Sequence, residues 1–166
     1  MRDFMELPKQ SLPMEQLIQL LDVQLRTGGK AYLTVTGNSM RPVLRSLTDR
    51  VELTPVTELK SGDIILYQRE NEQYVLHRIL RILPDGSYLC CGDNQWETET
   101  IRREQILAVV SGFSRGKQTY DVRHPGYRAY VRTWVSLHPI RRPLLAVRRR
   151  LGRLRTALKN HTESRK

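Results

Sequence analysis

Val35-Thr36-Gly37-Asn38-Ser39-Met40-Arg41-Pro42 is the stretch from which the rest of the chain is read. A β-type run, Ala31-Tyr32-Leu33-Thr34-Val35-Thr36, stops at a glycine, and a serine follows between Asn38 and Met40. Gly37 reaches backbone angles that other residues avoid, and Pro42 fixes its own φ and removes a donor. A serine held at such a bend presents its Oγ instead of burying it. Taken alone, it is an ordinary polar turn residue. The remainder of the chain changes that reading.

Working outward, residues 31 to 113 read as β. Strands are expected at 31–36, 50–54, 63–68, 73–83, 87–91 and 106–113, bounded by turn signals such as Lys60-Ser61-Gly62-Asp63 and Pro84-Asp85-Gly86-Ser87. Asp85-Gly86 predicts a hairpin. Alternation in Tyr74-Val75-Leu76-His77-Arg78-Ile79 places Val75, His77 and Ile79 on one face. Ahead of the strands, Pro13 stands where a helix begins, with Ser11 as a cap. Leu17, Leu20, Leu21 and Leu25 recur at helical spacing, and Gly28-Gly29 ends the segment. This predicts an amphipathic helix on the edge of the domain.

A serine is a weak nucleophile until a base takes its proton. Five short boxes follow one another along the chain: Ser39-Met40-Arg41-Pro42, Gly62-Asp63-Ile64-Ile65, Val75-Leu76-His77-Arg78-Ile79, Gly92-Asp93-Asn94 and Val109-Val110-Ser111-Gly112. In this order they resemble the S24/S26 serine peptidases, the clan of signal peptidase I and the LexA-like proteins, over roughly residues 31 to 113. Most bacterial signal peptidases and LexA-like proteins carry a lysine base. Here the matching residue is His77, as in the archaeal, endoplasmic-reticulum and sporulation-type signal peptidases, and no lysine lies between Lys60 and Lys117. The resemblance implies a Ser39–His77 dyad, with Ser39 attacking the scissile carbonyl and His77 as general base. The exchange is chemically sound. A lysine must be desolvated to lose its proton near neutral pH, whereas an imidazole ordinarily titrates there.

The resemblance also implies a third acid, and here Asp93 is placed first and Glu99 second, with Glu97 in the same region; an aspartate in the Gly-Asp-Asn box also serves a turn. Met40, Pro42, Asp63 and Gly92 are expected to shape the site, Asp63 structurally. Where bacterial signal peptidases often have a hydroxyl residue two places before the nucleophile, this chain has Gly37, as in the LexA-like branch. The backbone N–H of Ser39 is then the expected oxyanion donor, with Gly37 forming the turn.

The chain has 166 residues, 39% hydrophobic and 7% aromatic, which suits one domain with its own core. No stretch approaches 18 consecutive apolar residues and no apolar leader is visible, so a cytoplasmic or peripheral-membrane location is expected. Adjacent Cys90 and Cys91 do not suit an unstrained disulfide. His77, His124, His138 and His161 are scattered, so neither metal nor organic cofactor is expected. Charge is uneven within a formal net of +11. Residues 1 to 122 carry 15 basic and 16 acidic residues, net −1, while 123 to 166 carry 13 basic residues and one acidic residue, net +12.

The expected organisation is a helical segment at 1–30, a mainly β domain of the signal-peptidase/LexA-like type at 31–122, and a basic helical tail at 123–166. In the tail, Tyr127, Tyr130, Val131, Trp134, Val135 and Leu137 form an apolar face. Leu144, Val147, Leu151, Leu154 and Leu158 then alternate with arginines. That pattern fits an anionic membrane surface, engaged through residues 127–160, better than nucleic-acid phosphates, an acidic partner or a solvated helix against the domain.

The leading expectation is a serine endopeptidase cleaving a leader-bearing peptide or precursor protein. The self-cleaving branch usually has an Ala-Gly or Cys-Gly pair before the serine; none precedes Ser39, which favours cleavage in trans. The alternatives are a non-catalytic module that binds peptides or a partner on the same fold, and a membrane- or nucleic-acid-associated regulator acting through its tail.

Overall fold

The structure, a computed structural model, describes residues 14–140 and 143. It is mainly β. Eight strands form one antiparallel sheet: β1 (Ala31–Thr34), β2 (Asp49–Thr54), β3 (Ile64–Gln68), β4 (Tyr74–Ile82), β5 (Tyr88–Cys91), β6 (Glu99–Ile101), β7 (Ile106–Arg115) and β8 (Gln118–Asp121). Their order is β1-β2-β7-β3-β4-β5-β6, with β8 paired to β7. Long β7 therefore joins the early strands to the β3–β6 meander. Two strands, β6 and β8, lie outside the segments expected from sequence. β6 has three residues and β8 is largely exposed and polar, so neither carries a readable apolar alternation.

The pleat gives the sheet two apolar faces. On β3, Ile64 and Leu66 join one cluster with Val51, Leu53, Ala108 and Val110, while Ile65 and Tyr67 join another with Leu59, Ile79, Cys90, Ile101 and Ile106. Such two-sided burial makes β3 a continuous apolar run instead of an alternating one. Helix α1 (Met14–Arg26) covers the first cluster through Ile18, Leu21 and Leu25. Burying each of these contributes about 1.5–3 kcal/mol. Leu20, expected on the same face, is 57% exposed; Ile18 packs instead. The helix ends where Gly28, at φ 75°, turns its N–H to the Leu25 carbonyl and Gly29 bonds that of Gln24. The expected cap Ser11 and start Pro13 lie outside the described residues.

Helix α2 (Pro125–Ser136), at the start of the basic segment, packs on the sheet domain. Val131 is buried, and the Tyr127 ring lies 6.1 Å from that of Phe113. Gly62 is needed here: its φ is +98°, and an added Cβ would lie 2.6 Å from Cγ1 of Val131. The arginine-rich repeat from Leu144 onward lies outside the described residues. Among those described, no helix is long and apolar enough to cross a membrane.

Candidate functional site

Ser39 sits in the loop between β1 and β2. Met40, Val43 and Leu44 pin this loop into the core, at 2%, 8% and 0% exposure, while Ser39 stays half-buried at its surface. Leu44 N–H bonds the Met40 carbonyl, Gly37 takes φ +82°, and the Arg41–Pro42 peptide is cis. The loop is tied to the segment after β5: the N–H of Asn94 donates to the Ser39 carbonyl at 2.7 Å, and the Asn94 amide donates to the Asn38 carbonyl at 3.3 Å. Two boxes far apart in sequence thus form one structure. Among the described residues, none accepts a backbone hydrogen bond from the N–H of Ser39.

His77 lies on β4 opposite Ile65 of β3, so its ring falls on the face that carries Ile65 and Tyr67. β4 pairs Ile79 with Cys90, and β5 pairs Cys90 with Glu99. Register alone therefore brings His77, Tyr67, Cys90 and Glu99 to one side of the sheet. The imidazole is 3% exposed. Its Nδ1 is 2.8 Å from Oε1 of Glu99 and 3.0 Å from the Tyr67 hydroxyl, which also donates to that carboxylate. Arg69 grips the same carboxylate from the far side, Nε to Oε2 at 2.8 Å and Nη2 to Oε1 at 2.9 Å.

These contacts fix protonation. Burial pushes the Glu99 carboxyl up, but the hydrogen bonds from His77, Arg69 and Tyr67 outweigh it and hold the group well below the usual carboxylate range. Burial, with the bond to Glu99, pushes the Tyr67 hydroxyl far above its ordinary value, so it remains a donor. An ionised carboxylate only accepts. Nδ1 is then the donor in the 2.8 Å contact, and Nε2 is the ring nitrogen that Glu99 does not engage.

Nε2 faces Gly92. A Cβ built on Gly92 would lie 3.1 Å from Nε2 and 2.8 Å from the Ser39 carbonyl oxygen. The absence of a side chain at Gly92 therefore lets the serine loop and the imidazole both pack close against it. Among the described residues no hydrogen bond links the Ser39 hydroxyl directly to His77.

Asp93, expected first as the third acid, is elsewhere. Arg78 follows His77 on β4 and so points to the opposite face. There its Nε and Nη2 donate to the two Asp93 oxygens at 2.8 and 2.6 Å, with both side chains fully buried. Burial lowers the affinity of Arg78 for its proton, but Asp93 more than compensates and raises it. Arg78 Nη1 also donates to the Gly62 carbonyl at 2.7 Å and to the Tyr127 hydroxyl at 3.3 Å. Asp93 thus braces the Gly92–Asn94 turn and does not touch the imidazole. Of the two acids, Glu99 is the one at His77; neighbouring Glu97 is exposed. Asp63 accepts from the Lys60 N–H at 2.8 Å and closes its own turn.

Tyr67 and Arg69 complete the site without a motif of their own. The pleat of β3 puts Tyr67 on the same side as Ile65, the partner of His77, and a tyrosine inside an apolar run is the signal that flags it. Arg69 follows β3, and its approach to Glu99 depends on the placement of β6, which has no signal in the sequence. Burial and nearby Glu99 push the Cys90 thiol up to about 12, so it is a poor source of thiolate beside the histidine. Among the described residues no group of three or more His, Cys, Asp or Glu is placed to hold a metal ion. No protein-family model matches the chain, and no curated protein matches it.

Proposed function

We propose that the chain is a serine endopeptidase of the S24/S26 type on a signal-peptidase/LexA-like fold, with Ser39 as nucleophile, His77 as general base and Glu99 as the acid that orients it. One observation carries this reading. The imidazole is held through Nδ1 by an ionised carboxylate, while Nε2 and the Ser39 carbonyl oxygen both lie against the point that a Gly92 side chain would occupy.

In this mechanism Ser39 Oγ attacks the scissile carbonyl as Nε2 takes its proton. Nε2 then returns that proton to the leaving amine, and water repeats the cycle on the acyl-enzyme. The Ser39 N–H donates to the developing oxyanion. Glu99 stabilises the imidazolium and keeps the tautomer. Asp93 and Arg78 hold the turn that carries Gly92. The substrate is a peptide or precursor protein cut in trans.

The test is cleavage of a mixed library of leader-type peptides by the full chain beside Ser39→Ala and His77→Ala. Loss of about 10³-fold or more in both variants is expected for groups that act as a unit. Wild-type protein that cuts nothing, or Ser39→Ala that cuts equally well, would replace this reading with a module that binds peptides without cleaving them.

A further inference from the structure

We propose that Arg69 is a positioning residue, acting through Glu99 to keep the proton of His77 on Nδ1 and Nε2 free toward Ser39. The inference rests on the serine-peptidase reading for its catalytic consequence, but not for its structural content.

Two hydrogen-bond patterns compete at Nδ1. In one, Nδ1–H donates to Glu99 and Nε2 is a base. In the other, Nδ1 accepts and Nε2 carries the proton, which leaves nothing to take a proton from a serine. Two donors are capable of imposing the second pattern. The Tyr67 hydroxyl is 3.0 Å from Nδ1, and a protonated Glu99 would place an O–H at 2.8 Å. The arginine closes off both routes. Its fork on Oε1 and Oε2, at 2.9 and 2.8 Å, keeps the carboxylate ionised, so Glu99 has no proton to donate. An ionised Oε1 is also the stronger acceptor for the Tyr67 hydroxyl, which is drawn away from Nδ1.

The fork has a second effect. Glu99 is 25% exposed, so its carboxylate would otherwise turn toward water. Arg69 is itself steadied by Gln73, whose Oε1 accepts from Nη1 at 3.2 Å. The other ionisable groups near the ring do not substitute for it. Cys90, on β5, holds a proton, and Arg78 with Asp93 lies on the opposite face of the sheet. Arg69 does not reach Ser39 and takes no part in bond making, so its effect must pass through the imidazole.

The readout is therefore the ring itself. Nitrogen-15 spectra of histidine-labelled full-length protein at about pH 9, above the ordinary imidazole range, report which nitrogen is protonated, with His77→Ala assigning the signal. Wild type is expected to show the Nδ1–H form. Arg69→Met is expected to mix in the Nε2–H form, and Arg69→Lys, which keeps a cation but not the fork, to fall between them. Arg69→Gln replaces Arg69→Met if the latter does not fold. In the cleavage assay Arg69→Met is expected to lower kcat about tenfold with KM little changed, the pattern of a lost transition-state contribution, and Arg69→Lys to recover part of it. An unchanged tautomer in Arg69→Met overturns the proposal whatever the rate. A shifted tautomer in a protein that cleaves nothing upholds the positioning role and refutes the peptidase reading instead.

Discussion

Gly92→Ala adds one methyl group beside both the Ser39 backbone and the His77 ring. The new Cβ would meet the Ser39 carbonyl oxygen at 2.8 Å, His77 Nε2 at 3.1 Å and Gln95 Oε1 at 2.7 Å. Gln95 is half-buried, and the end of its side chain can swing aside. The other two contacts yield less easily. The Ser39 carbonyl is held by the Asn94 N–H at 2.7 Å, and the imidazole is held through Nδ1 by Glu99 and Tyr67. Restoring the ordinary 3.4 Å contact requires about 0.6 Å of movement at Ser39 and about 0.3 Å at Nε2. Both movements displace groups of the proposed nucleophile and base from their present positions. A misplacement of about 1 Å at a reacting centre costs about 10²-fold, so kcat should fall between about tenfold and a hundredfold. Overpacking of this kind also costs about 1–3 kcal/mol of stability. The assay is kcat on the best library peptide together with chemical denaturation of the same sample. Full wild-type kcat in a folded Gly92→Ala protein would show that the serine and the histidine do not work together beside Gly92, and the assignment of the pair would fail with it.

Two further outcomes follow from the charges. Removing one partner of the Arg78–Asp93 pair leaves a fully buried charge unpaired. Arg78→Met or Asp93→Leu alone should therefore cost about 3–5 kcal/mol in denaturant unfolding, and the double variant should recover much of that; a loss below about 1 kcal/mol in either single variant would contradict the bracing role. For Glu99 the sign runs with acid. Its carboxyl is held below the ordinary range in the folded chain, so the stability it contributes is fully present above the unfolded value of about pH 4.3 and is lost as pH falls toward and through the folded one. The stability gap between wild type and Glu99→Gln, measured by urea unfolding at successively lower pH, should shrink below that point; a gap that is constant down to about pH 3 would mean that Glu99 is not ionised in the fold.

The parts legible in the sequence are those where one local pattern decides. The alternation through Val75, His77 and Ile79 is enough to fix the face of the histidine. The glycine and proline around Ser39 mark a loop, and the apolar runs at 63–68 and 106–113 mark strands close to those observed. The acid partner is less accessible, because it depends on which residue the β4-β5-β6 register brings alongside. That register is set by an irregularity between Ile79 and Arg81 and by a strand of only three residues, Glu99–Ile101. Neither leaves a mark in composition. Arg69 is hidden for the same reason: a polar residue beyond a strand end looks like any solvated surface group until its partner is known.

The division of the two acids follows from the pleat. His77 and Arg78 are neighbours on β4, so their side chains must leave the sheet on opposite sides. An acid that pairs in a bidentate, fully buried fashion with Arg78 is thereby committed to the face that the imidazole does not occupy. Asp93 adjoins Gly92 and looks from sequence like the nearer acid, yet its service to Arg78 takes it out of reach of His77. Glu99 lies farther along the chain and returns to the His77 face because β5 and β6 fold back as a pair, Cys90 against Glu99. The site therefore needs both acids for different reasons. One carboxylate fixes the turn that lets the serine loop approach, and the other fixes the ring that the serine loop approaches. Exchanging their roles would require a one-residue slip of β4, and such a slip would also drive buried Ile79 off its cluster and carry Arg78 onto the apolar face with Ile65 and Tyr67.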